Sequence, residues 1–234
     1  MNLLFIQNEA ANVVATMADV SVPEVTEAKI NLLELAVKGG WLMIPLLLLL
    51  VIAVAVFIER LLVINKVSKP DDSFMNRIKD YIHDGKIDSA IKLCKKTETP
   101  YARMIEKGIS RLGRPMNDIQ VAIENVGDIE VAKLEKGLPW VATTAGGAPM
   151  IGFLGTVTGM VRAFFDMSSA GSNVDITLLS SGIYEALVTT VAGLIVGIIA
   201  MFGYNYLTSR LNGVVNQMES NTMEFMDLLN EPTN

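Results

Sequence analysis

The chain has 234 residues, and its net charge of −6, from 19 Lys and Arg against 25 Asp and Glu, gives no support for nucleic-acid binding. A single cysteine excludes an intrachain disulfide framework. Hydrophobic residues make up 51% of the chain and are concentrated in three runs without Asp, Glu, Lys or Arg, at residues 39–58, 137–161 and 186–209. Each run exceeds the roughly 18 apolar residues that indicate a transmembrane helix, and none alternates as a barrel strand does. We therefore predict an all-α integral membrane protein with three transmembrane helices, a helical cytoplasmic domain, and long helices that extend from the membrane into the cytoplasm.

Residues 1–38 precede the first run and are predicted to begin as an external tail. They end in INLLELAVK, whose apolar side chains fit two alternatives: an amphipathic helix on the bilayer surface, or a helix that continues into the membrane. The start of the chain, MNLLFIQ, lacks the basic residues and the long apolar core of a secretory signal, so none is predicted.

The first predicted span covers residues 39–64. Gly39 and Gly40 break the preceding helix, and Trp41 lies where an interfacial aromatic residue is expected. The five consecutive leucines Leu46–Leu50 give a uniformly bulky surface, which suits contact with lipid. This span is therefore predicted to be an outer helix of the protein.

Residues 65–136 are predicted to form a cytoplasmic domain of several helices without a sheet. Gly85 stops a helix at about residues 72–83, and Thr99 caps a helix that begins at Pro100. A later helix is predicted to run with little interruption into the second span.

The distribution of positive charge predicts the topology. Residues 60–136 hold 15 of the 19 Lys and Arg residues, so the positive-inside rule places this segment in the cytoplasm. Three spans then put the N-terminus outside and the C-terminus inside. Residues 167–175 become a short external link, and residues 209–234 become a cytoplasmic C-terminal helix.

The second and third predicted spans, residues 137–166 and 176–208, differ from the first because each has a face of small residues. Small residues let helices approach closely within a membrane. The small faces include Gly152, Gly155 and Gly159 on the second span, and Gly182, Ala186, Gly193 and Gly197 on the third. The two helices are predicted to form an inner pair, with the first span outside it.

Glu185 is the main candidate for chemistry, because it is the carboxylate that lies well inside the apolar zone of the spans. A charge in a membrane is costly and usually faces a protein interior or a water-filled path. Two interpretations follow: a proton-accessible, pore-lining acid, or a carboxylate at the membrane interface that is solvated or bonded to a neighbouring helix. Thr156 and Thr190 are weaker candidates for a pore, since threonine in a span usually bonds its own helix backbone.

The sequence shows no metal-ligand cluster, nucleotide-binding loop or Ser-His-Asp arrangement, so no enzyme activity, cofactor or metal is predicted. A proton relay usually needs more than one titratable group, whereas the spans supply Glu185 alone. Either several copies of the chain supply the acids, or another protein brings a second one. The small face of the third span is where that partner helix is predicted to pack.

Four stretches resemble the ExbB/TolQ/MotA proton-channel family: KGGWLMIPLLLLL, GKIDSAIKLCKKTETPYARMIEKGI, LEKGLPWVATTAGGAPMIGFLGTVTGM and GIYEALVTTVAGLIVGIIAMFGYNY. The resemblance covers about residues 30–210. It implies a ring of five copies in the bacterial inner membrane, lined by the second and third spans. Inside the ring it implies two copies of a single-span ExbD-like or TolR-like subunit with an essential aspartate. It also implies that Glu185, Thr156 and Thr190 occupy the pore positions of the family.

The resemblance further implies that proton flow drives a movement that is passed to a TonB-like or TolA-like protein. KGGWLMIPL and the three-span layout favour the ExbB type. The expected function is thus a proton-channel and stator subunit that energises TonB-dependent transport across the outer membrane. The alternatives are a TolQ-like subunit for maintenance of the cell envelope and a non-conducting scaffold for a partner helix. A solute transporter is disfavoured, because three spans without repeats or broken helix pairs suggest no such site.

Overall fold

A computed structural model of the chain describes residues 39–68, 72–169 and 176–230. Within these ranges the chain is helical and has no strand, which confirms the all-α class. The helices are α1 (Met43–Val67), α2 (Asp72–His83), α3 (Ile87–Thr97), α4 (Pro100–Ile109), α5 (Met116–Glu135), α6 (Leu138–Ser169) and α7 (Ile176–Asn230). The tail and amphipathic helix predicted for residues 1–38 lie outside the described residues, as does most of the link at 167–175, so both stay predictions.

Three of the described helices are long and apolar enough to cross a membrane: α1, α6 and the part of α7 from Leu179 onward. The number of membrane-spanning helices therefore agrees with the sequence prediction. The helices α6 and α7 pack along one another, and α1 lies against both. At one end of this three-helix group, the Arg210 side chain on α7 donates a hydrogen bond to the Asn65 side chain on α1, with 2.9 Å between the nitrogen and the oxygen.

Glycine residues allow close packing along the seam, the line of contact between α6 and α7. A Cβ atom added at Gly193 would lie 2.6 Å from the Ala148 carbonyl oxygen and 2.9 Å from the Gly152 Cα. A Cβ added at Gly152 would lie 3.0 Å from the Thr189 carbonyl oxygen. Backbone therefore meets backbone, as small residues permit in membrane helix pairs.

This seam corrects one prediction. The small face of α7 was expected to receive a helix from another protein, but α6 of the same chain occupies it. Gly182 packs against Ala163, and Gly197 packs against Pro149. Sequence periodicity shows that a face is small, but it carries no information about which helix covers that face. A partner helix must therefore contact other surfaces of α6 and α7.

Helix α1 packs on the pair in two small buried layers. Leu46 meets Ala148 and Val196 in one layer, and Ala53 meets Val141 and Ala200 in the other. Of the five leucines, Leu46 points into the protein while Leu47 and Leu48 are exposed. Leu47 and Leu48 thus lie on the outer surface of α1, and their contact with lipid stays a prediction.

Helices α2–α5 enclose a second core with the C-terminal half of α7. Phe74, Ile105 and Ile123 from α2, α4 and α5 are fully buried with Phe225 and Met218 of α7. The sequence prediction placed the third span at residues 176–208 and a C-terminal helix at residues 209–234, within a fold whose long helices extend beyond the membrane. The structure has one helix of 55 residues, about 80 Å long at 1.5 Å per residue.

Two local details go beyond the sequence prediction. The interruption between α5 and α6 is two residues long: Lys136 follows the last residue of α5, and Gly137 takes a left-handed φ of +92° before α6 begins at Leu138. At α4, Pro100 is the first helical residue as predicted, but the Thr99 side chain makes no capping hydrogen bond. Its hydroxyl is buried without a partner in this structure.

Arg60 of α1 binds the end of α5 beside the short interruption between α5 and α6. Its side chain is buried, it donates a hydrogen bond of 3.1 Å to the Lys133 carbonyl oxygen in the last turn of α5, and it forms an ion pair with Glu59. A cation is favourable at a helix C-terminus, where carbonyl groups lack partners. In the sequence Arg60 marked only the exit of the first span.

Candidate functional site

The two predicted threonines meet at the edge of the α6–α7 seam. The Thr190 hydroxyl donates to the Gly152 carbonyl oxygen at 2.9 Å and lies 3.4 Å from the Thr156 hydroxyl oxygen. The Thr156 hydroxyl in turn donates to the Phe153 carbonyl oxygen at 2.6 Å. Both side chains are half-buried. They form a small polar patch in apolar surroundings, which can bind water or a proton carrier but cannot titrate.

Gly152 makes this pairing possible. It lies one turn before Thr156 on α6, and its lack of a side chain lets the Thr190 hydroxyl cross the seam to its carbonyl. Threonine in a membrane helix ordinarily returns its hydrogen bond to its own helix. The Thr190 hydroxyl lies 3.4 Å from the Ala186 carbonyl oxygen of its own helix, but its shorter contact, 2.9 Å, crosses to Gly152, so the pair joins α6 to α7 as well as providing polarity.

Glu185 lies apart from the two threonines. It is half-buried, and its carboxylate contacts the backbone at Gly40, just before α1 begins. Thr190 is five residues further along α7, which corresponds to about 7.5 Å along the helix axis and about 140° around it. The structure therefore brings Thr156 and Thr190 together and places Glu185 on the side of α7 that faces the start of α1.

Thr189 is a seam residue that the sequence analysis did not single out as a site. Its side chain is 2% exposed, it donates to the Ala186 carbonyl oxygen at 2.8 Å, and it fills the space above Gly155. The available signal was its position on the predicted small face of the third span. Thr189 is thus a packing neighbour of the polar patch, while Thr190 carries the contact to Thr156.

Helices α4 and α5 carry a separate charged cluster. Glu130 is buried, and it accepts hydrogen bonds from Arg103 and, at 2.7 Å, from Lys133. Burial raises the pKa of the Glu130 carboxyl, but the hydrogen bonds and charges of the two cations outweigh burial and hold that pKa below its ordinary value. The cluster fastens α5 to α4 and lies outside the membrane-spanning segments.

Cys94 is buried in the core formed by α2–α5 and α7, and burial, assisted by the nearby negative charge of Glu106, raises its pKa to about 12. A thiol with so high a pKa is a poor nucleophile. Among the described residues, no group of three or more His, Cys, Asp or Glu side chains could hold a metal ion. The described chemistry is therefore confined to the threonine pair, Glu185 and the charged cluster at Glu130.

Comparison with known proteins supports a membrane energiser. A model of the MotA/TolQ/ExbB proton channel family matches residues 96–220, which include α5, α6 and most of α7. The ExbB-like 1 protein of Synechocystis sp., named for biopolymer transport, is 32% identical over 187 residues, 76% of this chain and 71% of its own length. An ExbB homolog of Methanothermobacter thermautotrophicus is 29% identical over 67% of this chain and 54% of its own length. The Tol-Pal system protein TolQ of Haemophilus influenzae is 36% identical over 100 residues, 43% of each chain.

Proposed function

Because the chain belongs to the MotA/TolQ/ExbB proton channel family, we propose that it is a proton-conducting stator subunit of a motor in the bacterial inner membrane. The motor would use the proton motive force to energise TonB-dependent transport across the outer membrane. The observation that carries this proposal is Glu185, a half-buried carboxylate at the start of an otherwise uncharged stretch of a transmembrane helix. An acid in that setting is expected to serve a proton or ion path.

Thr156 and Thr190 complete the proposed path. They supply the polar patch of the α6–α7 seam, deeper along α7 than Glu185, where an isolated hydroxyl pair in lipid would be unfavourable. A single chain does not enclose a channel with these groups. The second titratable acid of the path would come from a partner helix, which is the reason for the assembly proposed next.

We place several copies of the chain, five by analogy with the family, in a homo-oligomeric ring around two copies of an ExbD-like single-span subunit. The large apolar side chains exposed on α6 and α7 offer surfaces for neighbouring copies and for the central subunit. They include Phe153, Val157, Val161, Leu187, Val191 and Leu194. A TonB-like protein would receive the movement. The N-terminus would be periplasmic and the C-terminus cytoplasmic, as the basic residues between the spans indicate.

A TolQ-like role in maintaining the cell envelope is the second candidate, and the likeness to the Haemophilus TolQ protein favours it. The two candidates differ in the protein that receives the movement. Adjacent reading frames that encode a single-span subunit and a TonB-like protein would support the transport role. A TolA-like neighbour would replace it with the envelope role.

The test of conduction is proton uptake into vesicles that contain the complex purified from its native membrane, under an imposed voltage. We expect Glu185→Gln to reduce uptake at least tenfold while the amount of assembled complex stays normal, because an amide cannot carry a proton. Glu219→Gln is the matched control, since Glu219 is an exposed acid on the cytoplasmic part of the same helix. Its uptake should equal that of the native chain.

The same experiment separates conduction from scaffolding. A Glu185→Gln chain that conducts like the native protein would remove the acid from the mechanism. A variant that assembles poorly, with uptake reduced only in proportion to the complex that remains, would indicate a non-conducting scaffold for a partner helix.

A further inference from the structure

The Glu185 carboxylate rests on a glycine turn that precedes α1. A Cβ atom added at Gly40 would overlap the Glu185 carboxylate oxygen, and Gly40 itself has a left-handed φ of +67°. A Cβ added at Gly39 would come 3.3 Å from the Val188 side chain, one helical turn after Glu185. Gly39 and Gly40 thus lie against one face of α7, and both space and backbone conformation favour glycine at position 40.

The turn is fastened to α1. The Gly40 carbonyl oxygen accepts a hydrogen bond of 3.2 Å from the Met43 backbone N–H, at the first residue of the helix. A few residues on, Leu46 is buried against Ala148 and Val196. Because α1 is packed on α6 and α7 there, the turn has a defined position relative to Glu185.

Charge also suits this contact. The first turn of α1 contains no acidic residue, and Leu42 at its N-cap makes no side-chain hydrogen bond. A helix N-terminus carries partial positive charge, so a nearby carboxylate is favourable there. Glu185 supplies that carboxylate from α7.

We propose that the Gly39–Gly40 turn is a seat for the Glu185 side chain, and that Gly40 is a positioning residue for the acid of the proton path. The inference rests on the proposed function, because it assigns a role to the same acid. The missing side chain at Gly40 lets the carboxylate lie against the backbone at the start of α1. If α1 were displaced along α7, the turn that holds the Glu185 carboxylate would move with it. The position of α1 would in this way be coupled to the proposed proton path on α6 and α7.

The direct test measures how accessible the carboxyl group at position 185 is to a hydrophobic carbodiimide in native membranes, by mass spectrometry of the labelled peptide. We expect Gly40→Ala to displace the carboxylate and raise the labelled fraction at least threefold. Gly85→Ala is the matched control, since Gly85 has nearly the same φ of +68° but nothing within 4 Å of an added Cβ. It should leave labelling unchanged. Equal labelling of the Gly40→Ala and native chains would overturn the proposal.

A second variant covers the case in which Gly40→Ala does not insert into the membrane. Glu185→Asp withdraws the carboxylate from the turn by one methylene without changing Gly40, so labelling at position 185 should rise in the same way. Unchanged labelling there would contradict the seat just as directly.

Proton uptake then distinguishes this inference from the proposed function. We expect Gly40→Ala to reduce uptake at least tenfold in the native background but less than threefold in a Glu185→Asp background, because the shorter acid no longer meets the added methyl group. If Gly40→Ala reduced proton uptake by the same factor in both backgrounds, the effect would come from backbone strain alone and the positioning role would be overturned.

If Glu185→Gln abolishes uptake while Gly40→Ala conducts normally, the seat fails and the proposed function stands. If Glu185→Gln conducts normally, the proposed function fails, and the labelling result still decides the seat.

Discussion

Glu130 is buried and Glu185 is half-buried, but the two carboxylates differ in their oppositely charged partners among the described residues. Arg103 and Lys133 both pair with the Glu130 carboxylate, whereas Glu185 has no ion pair with any residue that the structure describes. A carboxylate matched by two cations acts as a fixed structural charge. A carboxylate without an ion-pair partner on a transmembrane helix is the kind of group that serves a proton or ion path, which is the role proposed for Glu185.

We expect Glu130→Gln to destabilise the domain formed by α2–α5 at neutral pH and to have little effect in acid. The pKa of Glu130 lies below its ordinary value of 4.5 in the folded chain. The stabilisation is therefore fully present above pH 4.5 and is lost as the pH falls through the lowered pKa. Hydrogen bonds to a charged group contribute about 1.5–3 kcal/mol, and solvent screening of the exposed Arg103 and Lys133 reduces this to about 1–2 kcal/mol. Thermal unfolding in detergent across this pH range measures the difference.

Glu135→Gln is the matched control for this charged cluster, since Glu135 is an exposed carboxylate on the same helix, α5. Its unfolding temperature should follow that of the native chain at every pH. If Glu130→Gln is as stable as the native chain at neutral pH, the pairing of Glu130 with Arg103 and Lys133 does not stabilise the fold.

At the scale of the helix, local signals predicted where several elements begin and end. Gly85 follows α2 with a left-handed φ, and Pro100 opens α4. Each signal depends on the backbone conformation of its own residue, so it can be recognised in the sequence without knowledge of the fold. The position of the short interruption at Gly137 was not predicted, because the apolar pattern continues on both sides of it. The extension of α7 beyond the span agrees with the predicted long helices, since a polar residue such as Arg210 does not end a helix.

The partners of each helix face could not be predicted in the same way. The sequence identified small faces on α6 and α7, but their mutual burial depends on the approach of two helices that meet only in the folded chain. Thr156 and Thr190 entered as firm candidates through family resemblance, since composition alone favours bonds to their own helices. The contact of Gly40 with Glu185 joins residues far apart in the sequence, and no local pattern indicates it.

The seam gives a prediction for helix packing. We expect Gly193→Ala to destabilise the α6–α7 pair by about 1–3 kcal/mol, the usual cost of an added methyl group in a well-packed interior. The methyl group would meet the Ala148 carbonyl oxygen and the Gly152 backbone, neither of which can rotate away. The unfolding temperature of the chain in detergent, with the yield of assembled complex, measures the effect.

Gly213→Ala is the control within the same helix, because an added Cβ at Gly213 meets nothing within 4 Å. It should be neutral or stabilising by up to about 1 kcal/mol, since alanine favours helix more than glycine. Equal behaviour of the two variants would mean that close backbone contact at Gly193 does not hold the seam together.

At the scale of the whole molecule, α7 joins two separately packed regions. Its first half meets α6 and α1 through small residues and thin apolar layers, while its second half is buried among helices α2–α5. The large buried side chains belong mainly to this second core, where water drives their burial. The membrane region depends instead on close packing, because lipid gives no hydrophobic advantage to helix association. One continuous helix thus connects regions that are held together by different forces.

This division predicts where the chain opens when one region is weakened. We expect Phe225→Ala, which removes a fully buried ring from the core formed with α2–α5, to cost about 3–5 kcal/mol there. Hydrogen exchange should accelerate in residues 72–135 and 207–230, while residues 148–163 and 185–200 keep their protection, because the seam shares no large buried side chain with that core. Met223→Ala is the matched control, since Met223 is 65% exposed on the same helix and its removal should leave exchange unchanged. Accelerated exchange throughout both regions in Phe225→Ala would show instead that the membrane seam and this core open as one cooperative unit.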